Sequence, residues 1–133
     1  MSLKSKTLTY IFLNGRKDRI NSKSNFPYEF FYGYNFLINF YDENNLIEFN
    51  YENKSLLLGF FEKLLNKLSD LPFFFQYIMT FENYKIIKNS DDIVMTNQRV
   101  AFSSVLMIFL GKLRKEINVH VFIMGLLNRK VNY

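Results

Sequence analysis

The side chains able to do chemistry fall in a few short stretches. Asn14, Gly15, Arg16, Lys17 and Arg19 directly follow a β-rich run. Basic side chains near a helix start, here expected at Pro27, Tyr28 and Glu29, make an anion-binding arrangement. An ordinary solvated loop is the competing reading. Asp91-Asp92 pairs two carboxylates, which could take a hard cation if further oxygens converged. At the start of a strand, the simpler roles are backbone capping for one and solvation for the other. His120 is the single histidine. It stands between Val119 and Val121 and is expected as a packed structural residue, with acid–base work as the alternative. Phe73, Phe74, Phe75 and Tyr77, followed by Lys85 and Lys88, combine aromatics with lysines. Interfacial membrane helices use that mixture, and so do core helices of a phenylalanine-rich chain.

Several chemistries are excluded outright. Neither GxGxxG nor GxxxxGK[ST] occurs, so the common phosphate-cradling loops are missing. With one histidine and no cysteine, there is no multi-histidine metal site, disulfide or thiol nucleophile. Lack of cysteine suits a cytoplasmic protein, and peripheral attachment to the inner face of the membrane is compatible with it. The net charge of +5 would attract anions, including an anionic membrane surface. Lys, Asn, Ile, Phe and Tyr are abundant together, which is compositional bias enough to explain it. No nucleic-acid recognition motif is present, and nucleic acid is not an expected partner. The polar start, Met1 to Lys6, is unlike a secretory signal. Val100 to Leu110, about 11 residues, is too short to span a bilayer and reads as buried helix.

The elements that must position these residues alternate. Thr7 to Leu13 (TLTYIFL) reads as a strand buried on both faces, ended by Asn14-Gly15. A polar loop is expected from Arg16 to Asn25, carrying Lys23. A helix follows from Pro27, with Phe30, Tyr34, Leu37 and Tyr41 on one face. After a turn at Asp42 to Asn45, Leu46 to Tyr51 is a second strand. Lys54 to Leu68 is a helix with Leu57, Phe61, Leu64 and Leu68 on one face. Pro72 opens a helical piece from Phe73 to Phe81, continued at Tyr84 to Lys88. Asp92 to Thr96 is the third strand. Gln98 to Lys115 is a long helix with Phe102, Leu106, Phe109 and Leu113 on one face. Asn118 turns the chain into the fourth strand, Val119 to Ile123.

This order, β-α-β-α-α-β-α-β, predicts an α/β, Rossmann-like open parallel sheet of about four strands with helices on both faces. Right-handed crossovers favour strand order 2-1-3-4. Ligands would then bind beyond the carboxyl ends of the strands, between Asn14-Gly15 and Thr96-Asn97-Gln98. Residues 1–133 read as a single such domain. It looks cut off after the fourth strand, since a doubly wound sheet would cover that strand further.

The opening strand, PYEFFYGYNFL (Pro27 to Leu37), SDDIVMTNQRVAFSS (Ser90 to Ser104) and VHVFIMG (Val119 to Gly125) together resemble the amino-terminal half of glycosyltransferase family 4 enzymes of the GT-B fold. The resemblance covers roughly the whole chain. It implies a retaining transferase whose amino-terminal domain holds a sugar or lipid-linked acceptor. A carboxy-terminal domain, not in this chain, would bind the nucleotide-sugar donor. No metal or cofactor would belong to this half. By position, Asn14 and Gly15 would line the cleft beside Arg16. Pro27, Tyr28 and Glu29 would start the helix bordering the acceptor. Asn97, Gln98 and Arg99 would lie at the third strand's end, and Met124 and Gly125 at the fourth's. Many relatives carry a histidine where Met124 stands, so no catalytic histidine follows here. Glu62 and Asp70 share the spacing of the donor-side glutamate pair but lie in the wrong domain.

Two other readings share the alternation: a self-sufficient flavodoxin-like or receiver-like binding module, and a peripheral membrane interaction protein. A receiver would want acidic residues where Asn14 and Asn97 stand.

Overall fold

Thr7–Phe12 forms β1, and all six of its residues are buried. A strand whose two sets of side chains both lack water must lie inside a sheet covered on both faces. The computed structural model describes residues 5–21 and 31–122, and shows this arrangement. Pro27, Tyr28, Glu29, Met124 and Gly125, with Lys23 and Phe30, lie outside the described residues. After β1 come the short helices α1 (Lys17–Asn21) and α2 (Tyr34–Leu37), the latter extended by a 3-10 turn at Ile38–Phe40. Then follow β2 (Glu43–Glu48), α3 (Leu56–Ser69), a 3-10 turn at Phe75–Tyr77, α4 (Phe81–Asn89), β3 (Asp92–Met95), α5 (Gln98–Lys112) and β4 (Asn118–Val121).

The four strands pair in the order β2-β1-β3-β4, all parallel, as the alternation predicts. Ile11 is flanked by Ile47 on one side and Met95 on the other. The period of two sorts β1 between two cores. Leu8, Tyr10 and Phe12 pack with Phe31, Tyr34 and Val94. Ile11 packs on the opposite face with Ile47, Ile93 and Met95 under Ile78, Ile87 and Met107. Thr9 also lies fully buried, with its hydroxyl 2.6 Å from that of Ser90. Ser90 Oγ donates to Ile86 O, so its single proton is committed and Thr9 is the donor. Tyr10 donates to Tyr32 O, and burial pushes its phenol up to about 12, with Tyr41 and Tyr34 adding to the rise.

Several boundaries move. Residues 17–21, read as loop, are helical. The helix expected from Pro27 is interrupted at Tyr32 and Gly33, both left-handed at φ 53° and 77°. Tyr34 is nonetheless buried, with Leu37 and Tyr41 packed against the same cluster. β2 starts at Glu43, inside the expected turn, because it is an edge strand whose first residues face water. Asn118 belongs to β4 rather than to a turn. The stretch read as helical from Phe73 to Phe81 is irregular, apart from its 3-10 turn, up to the start of α4. Its backbone donors go elsewhere: Phe73 N to Asn66 Oδ1 and Phe74 N to Ser103 Oγ.

Candidate functional site

In this strand order the connections part between β1, whose chain crosses to β2, and β3, whose chain crosses to β4. The loops that leave the carboxyl ends of β1 and β3 start from neighbouring strands. Thr96, just past β3, donates its N–H to Ile11 O at 3.2 Å and sits buried. That bond extends the β1–β3 pairing by one step, so the loop carrying Asn14, Gly15 and Arg16 and the turn carrying Asn97, Gln98 and Arg99 leave from adjacent strands. Asn14 and Gly15 are exposed and Arg16 is partly so. Gly15 sits at φ 69° with open space where a Cβ would go, so the backbone and not crowding demands glycine.

The electrostatics here differ from the expected anion site. Glu48, at the carboxyl end of β2, accepts the N–H of Arg16 at 2.9 Å and also that of Lys17. A protein carboxylate therefore takes the donors that start α1. Asn97 is committed too: its Oδ1 accepts from Val100 N at 2.9 Å and caps α5. Arg99 lies with its guanidinium 5.2 Å from the Phe74 ring, a cation–π contact. Besides their arginines the two loops carry amide chemistry, on the exposed Asn14 and the half-buried Gln98. A primary amide both donates and accepts, which suits neutral hydroxyl groups. At the same end of the sheet, just past β4, Phe122 N donates to Met95 O, and its ring lies 5.4 Å from that of Tyr32.

A second polar cluster, at the amino ends of the strands, had only part of its signal in the sequence. Asp91 accepts from Thr7 N and pairs with Lys115 Nζ, each at 2.9 Å, the capping role expected for one of the two carboxylates. Asp92 is not simply solvated. It hydrogen-bonds Tyr41, whose phenol is raised to about 12 by burial first and by that aspartate second. His120 is the clearest correction. Its side chain is 61% exposed, with Nε2 3.5 Å from Asp92 Oδ1. β4 is an edge strand with three of its four residues exposed, so a mid-strand position does not mean a buried one. An open groove of about 660 Å³, lined by Asp92, Lys112, Lys115, Glu116 and His120 among others, runs along this end. It lies at the opposite end of the sheet from those loops. Among the described residues, no group of three His, Cys, Asp or Glu side chains could hold a metal.

The aromatic stretch divides. Phe75 is buried in contact with Phe73, which also meets Phe102 edge-on at 5.7 Å. Phe73, Phe74 and Tyr77 are half-buried. Lys85 and Lys88 lie over the rings of Phe81 and Tyr84, on α4 itself. Most of this segment therefore serves as core and loop packing, and among the described residues no helix is long and apolar enough to cross a membrane.

No protein-family model, no curated protein and no solved structure matches this chain.

Proposed function

We propose that this chain is the acceptor-holding domain of a retaining glycosyltransferase, with the nucleotide-sugar donor bound by a second domain. One observation carries the reading: Glu48 occupies the anion-favouring donors at the start of α1, while the loops that leave β1 and β3 carry the amides Asn14 and Gln98. A hydroxyl-rich neutral acceptor suits that surface better than a phosphate does. The likeness of its sequence to the amino-terminal half of such enzymes supports the same assignment. Asn14 and Gln98 would contact acceptor hydroxyls, with Gly15 allowing close approach of the backbone. Arg16 and Arg99 would border the rim. No residue of this chain is assigned to bond cleavage.

Ligand-observed saturation-transfer NMR on the chain, with a panel of mono- and disaccharides, tests this. Saccharide signals should appear and should fall at least about fivefold in the Asn14→Ala/Gln98→Ala double variant, as for two lost hydrogen bonds of about 0.5–1.5 kcal/mol each. Uridine diphosphate, as the anionic probe, should give none. Silence from every saccharide sinks the reading, as does saccharide contact indifferent to both substitutions. Capture of flavin mononucleotide in the same assay would assign a flavodoxin-like module instead.

A further inference from the structure

Helix α3 is turned inside out relative to an ordinary surface helix. Ser55, Gly59, Glu62 and Asn66 recur at steps of four, three and four, which places them on one face. That face is the inner one. Glu62 is 5% exposed, and its carboxylate accepts Gln76 N at 2.6 Å and Gln76 Nε2 at 3.0 Å. Asn66 exchanges two bonds with the backbone of Phe73. The helix is thus latched by polar contacts to residues 73–76. Its outward arc is apolar: Leu56 is 97% exposed, Leu57 68%, Phe60 65% and Leu68 75%, with Phe61 and Leu64 beside them.

A contiguous apolar arc of this size left in water marks an interaction surface. Its charges identify the partner. Lys54, Lys63 and Lys67 border the arc and are exposed. Glu62, the only acid within the helix, points its carboxylate inward. The exposed acids Glu52 and Asp70 stand beyond the two ends. Lysine is depleted from the cores of protein interfaces. Lysines beside a Leu/Phe arc are what an interfacial helix offers to acidic headgroups, their stems lying along the acyl boundary. At 14 residues α3 is about 21 Å long and would lie flat. We infer that α3 docks the protein on the surface of an anionic phospholipid bilayer. This rests on α3 alone and not on the acceptor reading.

The chain contains no tryptophan, so Leu57→Trp places a single reporter in the arc. With vesicles of phosphatidylglycerol and phosphatidylcholine its emission should shift to the blue and the protein should sediment with them. Pure phosphatidylcholine should retain much less, and added salt should release the protein. A control tryptophan at Phe36, 65% exposed on α2, should not shift. Lys63→Gln and Lys67→Gln should each weaken partitioning about fivefold. Phe60→Glu should abolish it while circular dichroism stays unchanged. The inference is overturned by absence of binding to anionic vesicles at low salt, by an equal shift at position 36, or by binding that survives Phe60→Glu. A dimer that Phe60→Glu dissolves, without vesicle binding, would assign the arc to a second copy. Neither failure touches saccharide contact at the loops that leave β1 and β3, which reads a different surface.

Discussion

Helices α3 and α5 are nearly equal in length, both are rich in Leu and Phe, and both leave much of that apolar surface outside, Leu106, Phe109 and Leu110 on α5 included, yet what they turn inward differs. α5 buries Val100, Ser103, Ser104, Met107, Ile108 and Gly111 against α4 and the sheet. α3 buries Glu62, keeps Leu58 and Leu65 half-buried, and leaves Leu56, Leu57, Phe60, Phe61, Leu64 and Leu68 outside. Apolar content therefore does not decide which face turns inward. On α5, small residues let the helix approach closely: Ser103 and Ser104 return their hydroxyls to Arg99 O and Val100 O, and Gly111 lies against Ile117 and Lys88. On α3, the inward face is the one that can satisfy the backbone of residues 73–76. An unpaired buried N–H costs about 1–3 kcal/mol, enough to orient a helix whose apolar face has nothing to pack against.

The largest expected contrast lies in truncating one apolar side chain on each helix. Met107→Ala should cost about 2–5 kcal/mol in urea unfolding, since the residue is 2% exposed within the main core. Leu64→Ala should stay within about 0.5 kcal/mol, as for a surface change. Equal losses would break the comparison, because they would mean that α3 is covered in solution.

Much of this architecture was legible in the sequence. The unbroken apolar run of β1 marks a central strand, and the alternation fixes a parallel 2-1-3-4 sheet. That the loops after β1 and β3 leave from adjacent strands follows from that order. What stayed hidden depends on contacts distant along the chain. Apolar spacing assigns Leu57, Phe61, Leu64 and Leu68 to one face of α3 correctly, but periodicity carries no sign. Only Gln76 and Phe73 reveal that this face is outward. The run at Phe73–Phe75 reads as helix until Asn66 and Ser103 claim its N–H groups. His120 reads as buried because a strand pattern does not say which strand lies at the edge. Glu48 gave no signal as a cap for Arg16 and Lys17, being 32 residues from the first of them.

Polar contacts should give a smaller and differently shaped contrast. Ser103→Ala removes the acceptor for Phe74 N, from a side chain with no exposure. Glu62→Ala removes the acceptor for Gln76 N. Both should cost about 1–3 kcal/mol. Ser103 sits in the shared core, so its loss should lower the global unfolding midpoint. Glu62 holds only a latch, so hydrogen exchange should speed up across residues 56–69 with little change elsewhere. Slowed exchange in α3, or uniform loss from both variants, would show that α3 belongs to the same cooperative unit as α5.

The two helix glycines give the finest test. Alanine is favoured over glycine in a helix interior by about 0.5–1 kcal/mol. At Gly59 a Cβ would meet only the Gln76 side chain, nearest at Oε1, 3.6 Å away, an ordinary contact, so Gly59→Ala should collect that gain and slow hydrogen exchange across residues 56–69. At Gly111 the same atom would stand 3.1 Å from Ile117 Cδ1 and 3.4 Å from Lys88 Cα. The isoleucine tip can shift, but the α4 backbone behind it cannot do so without moving Ile87, which is fully buried. Crowding should therefore cancel or exceed the propensity gain, leaving Gly111→Ala no more stable than the parent. A gain in stability at both positions would mean that α5 can lift from α4 as easily as α3 moves on its latch, and the distinction between the two helices would then rest on chemistry alone and not on tightness of packing.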